Sequence, residues 1–275
     1  MPMMAAKGTQ GGSEAVNFFY VMNGTKLKRY LIIFIAVLFA IGIVYSESGN
    51  ITVFSQSEPA AIYSVETDKK VIALTFDISW GDKRAEPILK ILEDKGVKKA
   101  TFFLSSPWSQ QHPEIVQQIV KGGWEIGSHG HKHVNYSKLK DDEIREQIQS
   151  ADTILKQTTG QAPNLIRLPN GDFDKRVLRI ASEMNYRVIQ WDTDSLDWMN
   201  KGVSNIVNRV ITKAHPGDIV LMHASDTCTQ THEALPTIID ELRAKGYEFV
   251  TVGELLQQTS VEHKEAERST SGKIF

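Results

Sequence analysis

The stretch Ser128-His129-Gly130-His131-Lys132-His133 sets imidazoles close together directly after the short apolar run 124–127, and neutral imidazole is a common ligand for a divalent ion. If the chain coils into a helical turn after Ser128, positions four apart share one face. His129 and His133 can then hold one ion while His131 points elsewhere. Such a spacing alone is a weak motif, because polar loops carry histidines too. Its company strengthens it. Leu74-Thr75-Phe76-Asp77 ends an apolar run in a carboxylate, and Ile219-Val220-Leu221-Met222-His223 ends another in an imidazole. A carboxylate and a histidine at strand tips suit proton transfer as base and acid; their plainer readings are a turn or cap aspartate and a hydrogen-bonded core histidine. Arg167 can grip a carboxylate with parallel N–H groups or simply balance one. Asp192, Asp194 and Asp197, with Trp191 and Trp198 beside them, offer a carboxylate to orient a histidine and an aromatic wall for a ring-shaped ligand. The same residues also suit a polar loop flanked by packed tryptophans. The Gly-x-Ser-x-Gly elbow, the His-Glu-x-x-His zinc helix and the Gly-x-x-x-x-Gly-Lys-[Ser/Thr] phosphate loop are all absent.

The elements that must position these groups alternate regularly. Short apolar, β-branched or aromatic runs fall at 71–77, 100–105, 125–129, 165–169, 187–192, 219–223 and 248–252, and helical patterns lie between them at 84–95, 113–121, 141–158, 175–185, 204–214 and 233–245. Strands separated by helices call for parallel pairing, and the unbroken apolar character of the strands fits a sheet buried on both faces. Gly96, Gly122, Gly160 and Gly246 are placed as helix stops. The expected fold is α/β, a distorted (β/α) barrel of about seven parallel strands with outer helices. In such a barrel reactive groups gather at the carboxyl ends of strands, where Asp77, His129, the 167–172 stretch, the 192–198 stretch and His223 all fall.

The chain outside this pattern divides by composition. Residues 1–29 are polar and end in Lys26, Lys28 and Arg29, directly before the uncharged run 31–45. A basic flank before an apolar core is an export signal. The long leading segment and the lack of an Ala-x-Ala site favour an uncleaved anchor at 30–45, with 1–29 cytoplasmic and the rest extracytoplasmic, held at the cell membrane by a single pass. Residues 46–70 read as a linker, 71–256 as the catalytic-size domain, and 257–275 as a polar tail expected to be disordered. In a chain of 275 residues, 31 Lys+Arg against 33 Asp+Glu leave a net charge of −2, which offers nucleic acid no bulk attraction. The single cysteine, Cys228, excludes an internal disulfide. A monomer is expected.

Taken in order, Thr75-Phe76-Asp77, Ser128-His129-x-x-x-His133, Arg167-x-Pro169-x-Gly171, Asp197-Trp198 and Leu221-x-His223 resemble the five-motif pattern of the NodB-type polysaccharide deacetylases, carbohydrate esterase family four. The resemblance covers 71–256 and is greatest with the sporulation branch, through the segments 75–82 and 219–226 and the single N-terminal anchor. It implies a metal-assisted hydrolase that removes N-acetyl groups from amino sugars of cell-wall polysaccharide such as peptidoglycan. It further implies Asp77 as general base, His223 as general acid, and His129 and His133 as ligands of a divalent metal, zinc first. Arg167 would orient Asp77, and Asp197 would steady His223. Pro169, Asn170, Trp198 and Leu221 would bind substrate, Trp198 and Leu221 as walls of the acetate pocket and the backbone near Asn170 as an oxyanion donor.

The sequence departs from the family at one telling place. The residue after the catalytic aspartate is normally a second, metal-binding aspartate, and here it is Ile78. Catalytic zinc usually takes three protein ligands and a water, so Asp77, Asp82 or His131 would have to complete the set, or the site is a weakened pair of histidines. A glycan-binding or structural wall protein with lapsed chemistry on the same fold is the alternative that Ile78 supports.

Overall fold

The computed structural model describes residues 24–48 and 58–257, and the chain divides into two compact units, Met1–Ser55 and Gln56–Phe275. Among the described residues the strands are Val71–Ile78 (β1), Thr101–Leu104 (β2), Glu125–Ser128 (β3), Leu165–Ile166 (β4), Arg187–Val188 (β5), Thr193–Asp194 (β6), Asp218–His223 (β7) and Glu248–Phe249 (β8). The helices are Gly24–Ser48 (α1), Ala85–Asp94 (α2), Ser106–Gln111 (α3), Pro113–Gly122 (α4), Asp141–Thr159 (α5), Lys175–Glu183 (α6), Val203–Lys213 (α7), Thr231–Ala244 (α8) and Val252–Gln257 (α9). The strands form one parallel sheet in the order β5-β4-β3-β2-β1-β7-β6, with β8 beside the base of β1.

β1 is buried along its whole length, as an unbroken apolar strand must be when it has partners on both sides and cover on both faces. Its side chains alternate. Leu74, Phe76 and Ile78 enter the main core with Ile88 and Leu92 of α2 and Leu235 and Ile239 of α8, whereas Thr75 and Asp77 face the concave side, where both meet Arg167. Arg167 follows β4, which lies beyond β3 and β2 from β1. In a flat sheet that offset is about 14 Å, beyond the reach of any side chain, so the contacts at 2.8 and 2.9 Å require a sheet curled into a partial barrel.

The curl is closed by backbone that is not strand. Ile62 bridges Ile189, the Gln190 N–H donates to the Ile62 carbonyl at 2.7 Å, and the Asp192 N–H donates to the Ile219 carbonyl at 3.2 Å. The chain thus passes directly from β5 on one edge to β6 on the other, filling the gap between them. This corrects the expected single strand at 187–192: only Arg187 and Val188 pair with β4, Ile189 and Gln190 meet Ile62, and the ladder with β7 is made by Thr193 and Asp194 beyond the run. It also corrects the linker at 46–70. Ala61, Ile62 and Val65 are buried in the core, and Ser64 bridges Asp218, so the domain begins before β1.

The sequence pattern did not show α3 or α9. Each is one short turn or two, below the length at which periodicity is readable. In α5, Asp141, Asp142 and Glu143 fill the first turn, where the exposed N–H groups favour negative charge, and Glu143 reaches back to the Lys140 N–H at 2.7 Å.

In the N-terminal unit, α1 carries the apolar run, with Leu31, Ile32, Ile33, Phe34 and Phe39 exposed. Among the described residues no helix is long and apolar enough to cross a membrane, so the expected single-pass anchor is not found there. Residues 1–23 of the expected cytoplasmic segment and 258–275 of the expected tail lie outside the described residues; Gln257 ends α9.

Candidate active site

The carboxyl ends of β1, β3 and β7 and the loops after them surround a cavity of about 410 Å³, lined by Asp77, His129, His133, Asn170, Trp198, Leu221 and His223 among others. Parallel strands in register explain the meeting: Asp77 lies directly beside His223 across β1 and β7, and beside Phe103 across β1 and β2.

Two buried pairs organise the charge. Arg167, fully buried, donates from Nη1 to Asp77 Oδ1 at 2.9 Å and from Nη2 to the Gln190 carbonyl at 3.0 Å, and its guanidinium lies 4.3 Å over the Phe103 ring. This fixes one oxygen of Asp77. The other, Oδ2, stands 3.9 Å from His129 Nδ1. On the facing side Asp197 accepts three hydrogen bonds, each 2.7 Å, from the His223 backbone N–H, His223 Nδ1 and Thr231 Oγ1. Because a carboxylate only accepts here, Nδ1 carries its proton and His223 Nε2 is the nitrogen left for chemistry. Burial works to lower the His223 pKa, but the Asp197 charge and hydrogen bond override it, with lesser pulls from a hydrogen bond with Cys228 and the Asp77 charge, and hold it well above the usual histidine value. Asp197 moves the opposite way: burial would raise it, and the His223 charge and hydrogen bonds bring it below the ordinary carboxylate range. The pair is therefore an ion pair at neutral pH.

The histidine stretch differs from expectation in backbone and not in destination. Residues 129–135 form a loop and no helical turn. Gly130 has φ +75° and its missing Cβ makes room for the Tyr136 hydroxyl, so the chain cannot coil at that point. His129 and His133 nonetheless both line the cavity, rings edge to face at 5.4 Å. His129 Nδ1 meets the Arg167 carbonyl at 2.8 Å, which leaves Nε2 as the free lone pair, the arrangement of a metal-binding imidazole. Burial lowers the His129 pKa to about 4 and lowers that of His133 as well, so both rings are neutral and able to coordinate.

A third ligand for that pair is not at hand among the described residues. Ile78 is 0% exposed and packed in the main core, with its carbonyl accepting from the Ser105 N–H at 2.9 Å. His131 turns away to Ser106 Oγ at 2.9 Å. Asp82 does not line the cavity, and Asp77 is held by Arg167. The two histidines fit a loosely held ion completed by water, and do not make the closed three-ligand set. Asp197, His223 and Cys228 do bring three potential ligand atoms within 4.8 Å. There the carboxylate already accepts from three donors, so an ion would have to dismantle the His223–Asp197 pair.

Of the remaining residues singled out by sequence, Asn170, Trp198 and Leu221 line the cavity, and Pro169 is buried behind it. Asn170 adopts φ +60°, with its side chain tied to Asn135 Oδ1 at 2.7 Å. Sequence reasoning gave no role to Trp80, Thr75 or Thr231. Thr75 and Thr231 are ordinary strand and helix-start residues in pattern, and only the fold reveals that they touch Arg167 and Asp197. Trp80 had a readable signal, an aromatic residue three positions past Asp77 in a polar turn.

Comparison with known proteins adds a peptidoglycan-N-acetylglucosamine deacetylase of Bacillus cereus, 36% identical over 221 residues, which span 79% of this chain and 80% of the relative. The chain belongs to the polysaccharide deacetylase family. A family model described as polysaccharide deacetylase matches residues 64–189. A solved CE4 family pseudoenzyme from Bacillus anthracis is 36% identical, with 74% of this chain and 72% of that one covered at a TM-score of 0.69. A mutant of that pseudoenzyme, described as having restored enzymatic activity, is 37% identical, with coverage of 74% and 73% and the same TM-score. This family of hydrolases acts on amide bonds of N-acetylated polysaccharide, and it includes members that have lost catalysis.

Proposed function

We propose that this protein hydrolyses the N-acetyl groups of amino sugars in cell-wall glycan outside the cytoplasm. The observation that carries the reading is the pairing of Asp77, gripped by Arg167 at 2.9 Å, with its neighbour across β1 and β7, His223, gripped by Asp197 at 2.7 Å, in one cavity. Asp77 Oδ2 is the base that removes the proton of the attacking water. His223, kept protonated by Asp197, gives its Nε2 proton to the departing amine. Arg167 and Asp197 are positioning residues. Trp198 and Leu221 wall the acetyl methyl, and the backbone at Asn170 supplies an N–H for the developing oxyanion. A divalent ion, zinc first, bound by His129 and His133 would polarise the amide carbonyl and lower the pKa of a water towards about 7. With two protein ligands it is held loosely.

Export rests on the basic flank Lys26, Lys28 and Arg29 ahead of the apolar 31–45 run, which has the proportions of a signal sequence, whether retained as a membrane anchor or removed. A link to sporulation rests on the 75–82 and 219–226 segments and on the single N-terminal signal or anchor run. The second reading, a glycan-binding wall protein with lapsed catalysis, is favoured by Ile78, whose hydrocarbon side chain is buried where the family carries a metal-binding carboxylate. Acetate release from N-acetylated peptidoglycan by the purified protein with added zinc tests the proposal. Release that stops on Asp77→Asn supports the hydrolase; glycan binding without release supports the second reading.

A further inference from the structure

We propose that Trp80 is a platform for a sugar ring next to the one being deacetylated, and that Asp226 is the positioning residue that holds it there. The inference rests on the glycan reading above. Trp80 is 49% exposed, whereas Trp108 and Trp124 are buried. An exposed indole on a loose loop is unremarkable in energy, but one on a fixed loop is a binding surface whose ordering cost is met during folding.

The loop after β1 is fixed from several directions. The Ser79 N–H donates to Ser225 Oγ at 2.8 Å, and the Asp226 N–H donates to the Trp80 carbonyl at 3.0 Å. Asp226 Oδ1 accepts from the N–H groups of Lys83 and Arg84 at 2.9 and 3.0 Å. Trp108 Nε1–H donates to the Gly81 carbonyl at 2.6 Å. Gly81 has φ +74°, and a Cβ there would fall on the Asp226 carboxylate, so the turn and the carboxylate are built around each other. Held this way, the Trp80 ring tilts against His133 with centroids 4.6 Å apart. It lines the same cavity as Asp77 and His223 while about half of it faces solvent.

The C–H face of a pyranose is apolar and its hydroxyls point outward around the ring. It can therefore lie on an indole and keep its hydroxyls wet. Trp80 comes from the loop after β1 and Trp198, 43% exposed, from the turn after β6, so two strands' loops each present an indole to the cavity. A platform outside the acid–base pair favours chain length over single sugars, which makes the substrate an oligomer or polymer of amino sugars.

The test is calorimetric titration of the full chain with a β-1,4-linked N-acetylglucosamine tetramer and with the monomer. Trp80→Ala should weaken tetramer binding roughly fivefold to tenfold and leave the monomer unchanged, and Trp80→Phe should keep most of the affinity. Asp226→Ala should lose as much as Trp80→Ala, while Asp226→Asn, which keeps an accepting oxygen, should lose little. Thermal melts of each variant confirm folding; if Asp226→Ala does not fold, the Trp80 pair decides. Equal tetramer affinity for wild type and Trp80→Ala overturns the platform. Failure of the wild type to bind either sugar overturns the glycan reading beneath it as well.

Discussion

At the scale of single residues, the two buried pairs make different demands. Asp77→Asn and His223→Ala should each lower acetate release by about two to four powers of ten with the fold intact, and near wild-type release from either variant removes that residue from the mechanism. Since His223 acts as the protonated form, activity should fall as pH rises through its raised pKa, placing the basic limb of kcat/KM above 6.5, the ordinary histidine value. Asp197→Asn removes the charge responsible and should bring that limb down; an unmoved limb would mean that another group sets it. Asp218 is a third buried carboxylate, at the start of β7, raised by burial to about 6 although Thr193 donates to it at 2.6 Å. A carboxyl with a raised folded pKa contributes stability that is present below its unfolded value and lost as pH rises through the folded one. Asp218→Asn, whose amide oxygen can accept from the Thr193 N–H and whose NH2 can donate to Thr193 Oγ1, should therefore gain about 1–3 kcal/mol at pH 8 and little at pH 4. Urea unfolding at the two pH values checks this, and equal gains would contradict it.

At the scale of elements, the end of β1 decides what the site can hold. Period-two alternation sends Asp77 to the cavity and Ile78 to the core. Ile78 is the last residue of β1, so an aspartate there, unfavourable in the apolar core, reaches His129 and His133 when the strand end turns its carboxylate to the cavity. Ile78→Asp should melt earlier than wild type in chelator, recover with zinc, and bind zinc at least about 10–100-fold more tightly. Titration calorimetry that finds equal zinc affinity would mean the missing ligand already comes from elsewhere. The same scale shows what the sequence could convey. The apolar runs of β1 and β7 and their polar tips were readable because each is long, buried and ends in a chemical residue. The end of β5 after Val188 and the start of β6 at Thr193 were not, because each strand is two residues long and only the curl of the sheet sets them on opposite edges. The loop at 129–135 could not be told from a helical turn, because spacing by four is shared by helices and by loops folded around a glycine.

At the scale of the whole molecule, the family and its parallel sheet were legible in the order of motifs, and closure by segments 60–65 and 189–192 was not, since 60–65 lies in a linker-like stretch and 189–192 reads as the continuation of β5. The proposed export is tested on the full chain. An alkaline phosphatase reporter fused after Leu256 should be active only outside the cytoplasm, and a cytoplasmic readout would end the topological assignment. The central claim is acid–base deacetylation by Asp77 and His223 in a site short of one metal ligand. Its most direct measurement is acetate release from N-acetylated peptidoglycan, with zinc, by wild type, Ile78→Asp and Ile78→Asp/His223→Ala. The account predicts slow release by wild type, faster release by Ile78→Asp, and loss of that gain when His223 is removed. No release from either of the first two proteins, or a gain that survives loss of His223, would contradict it.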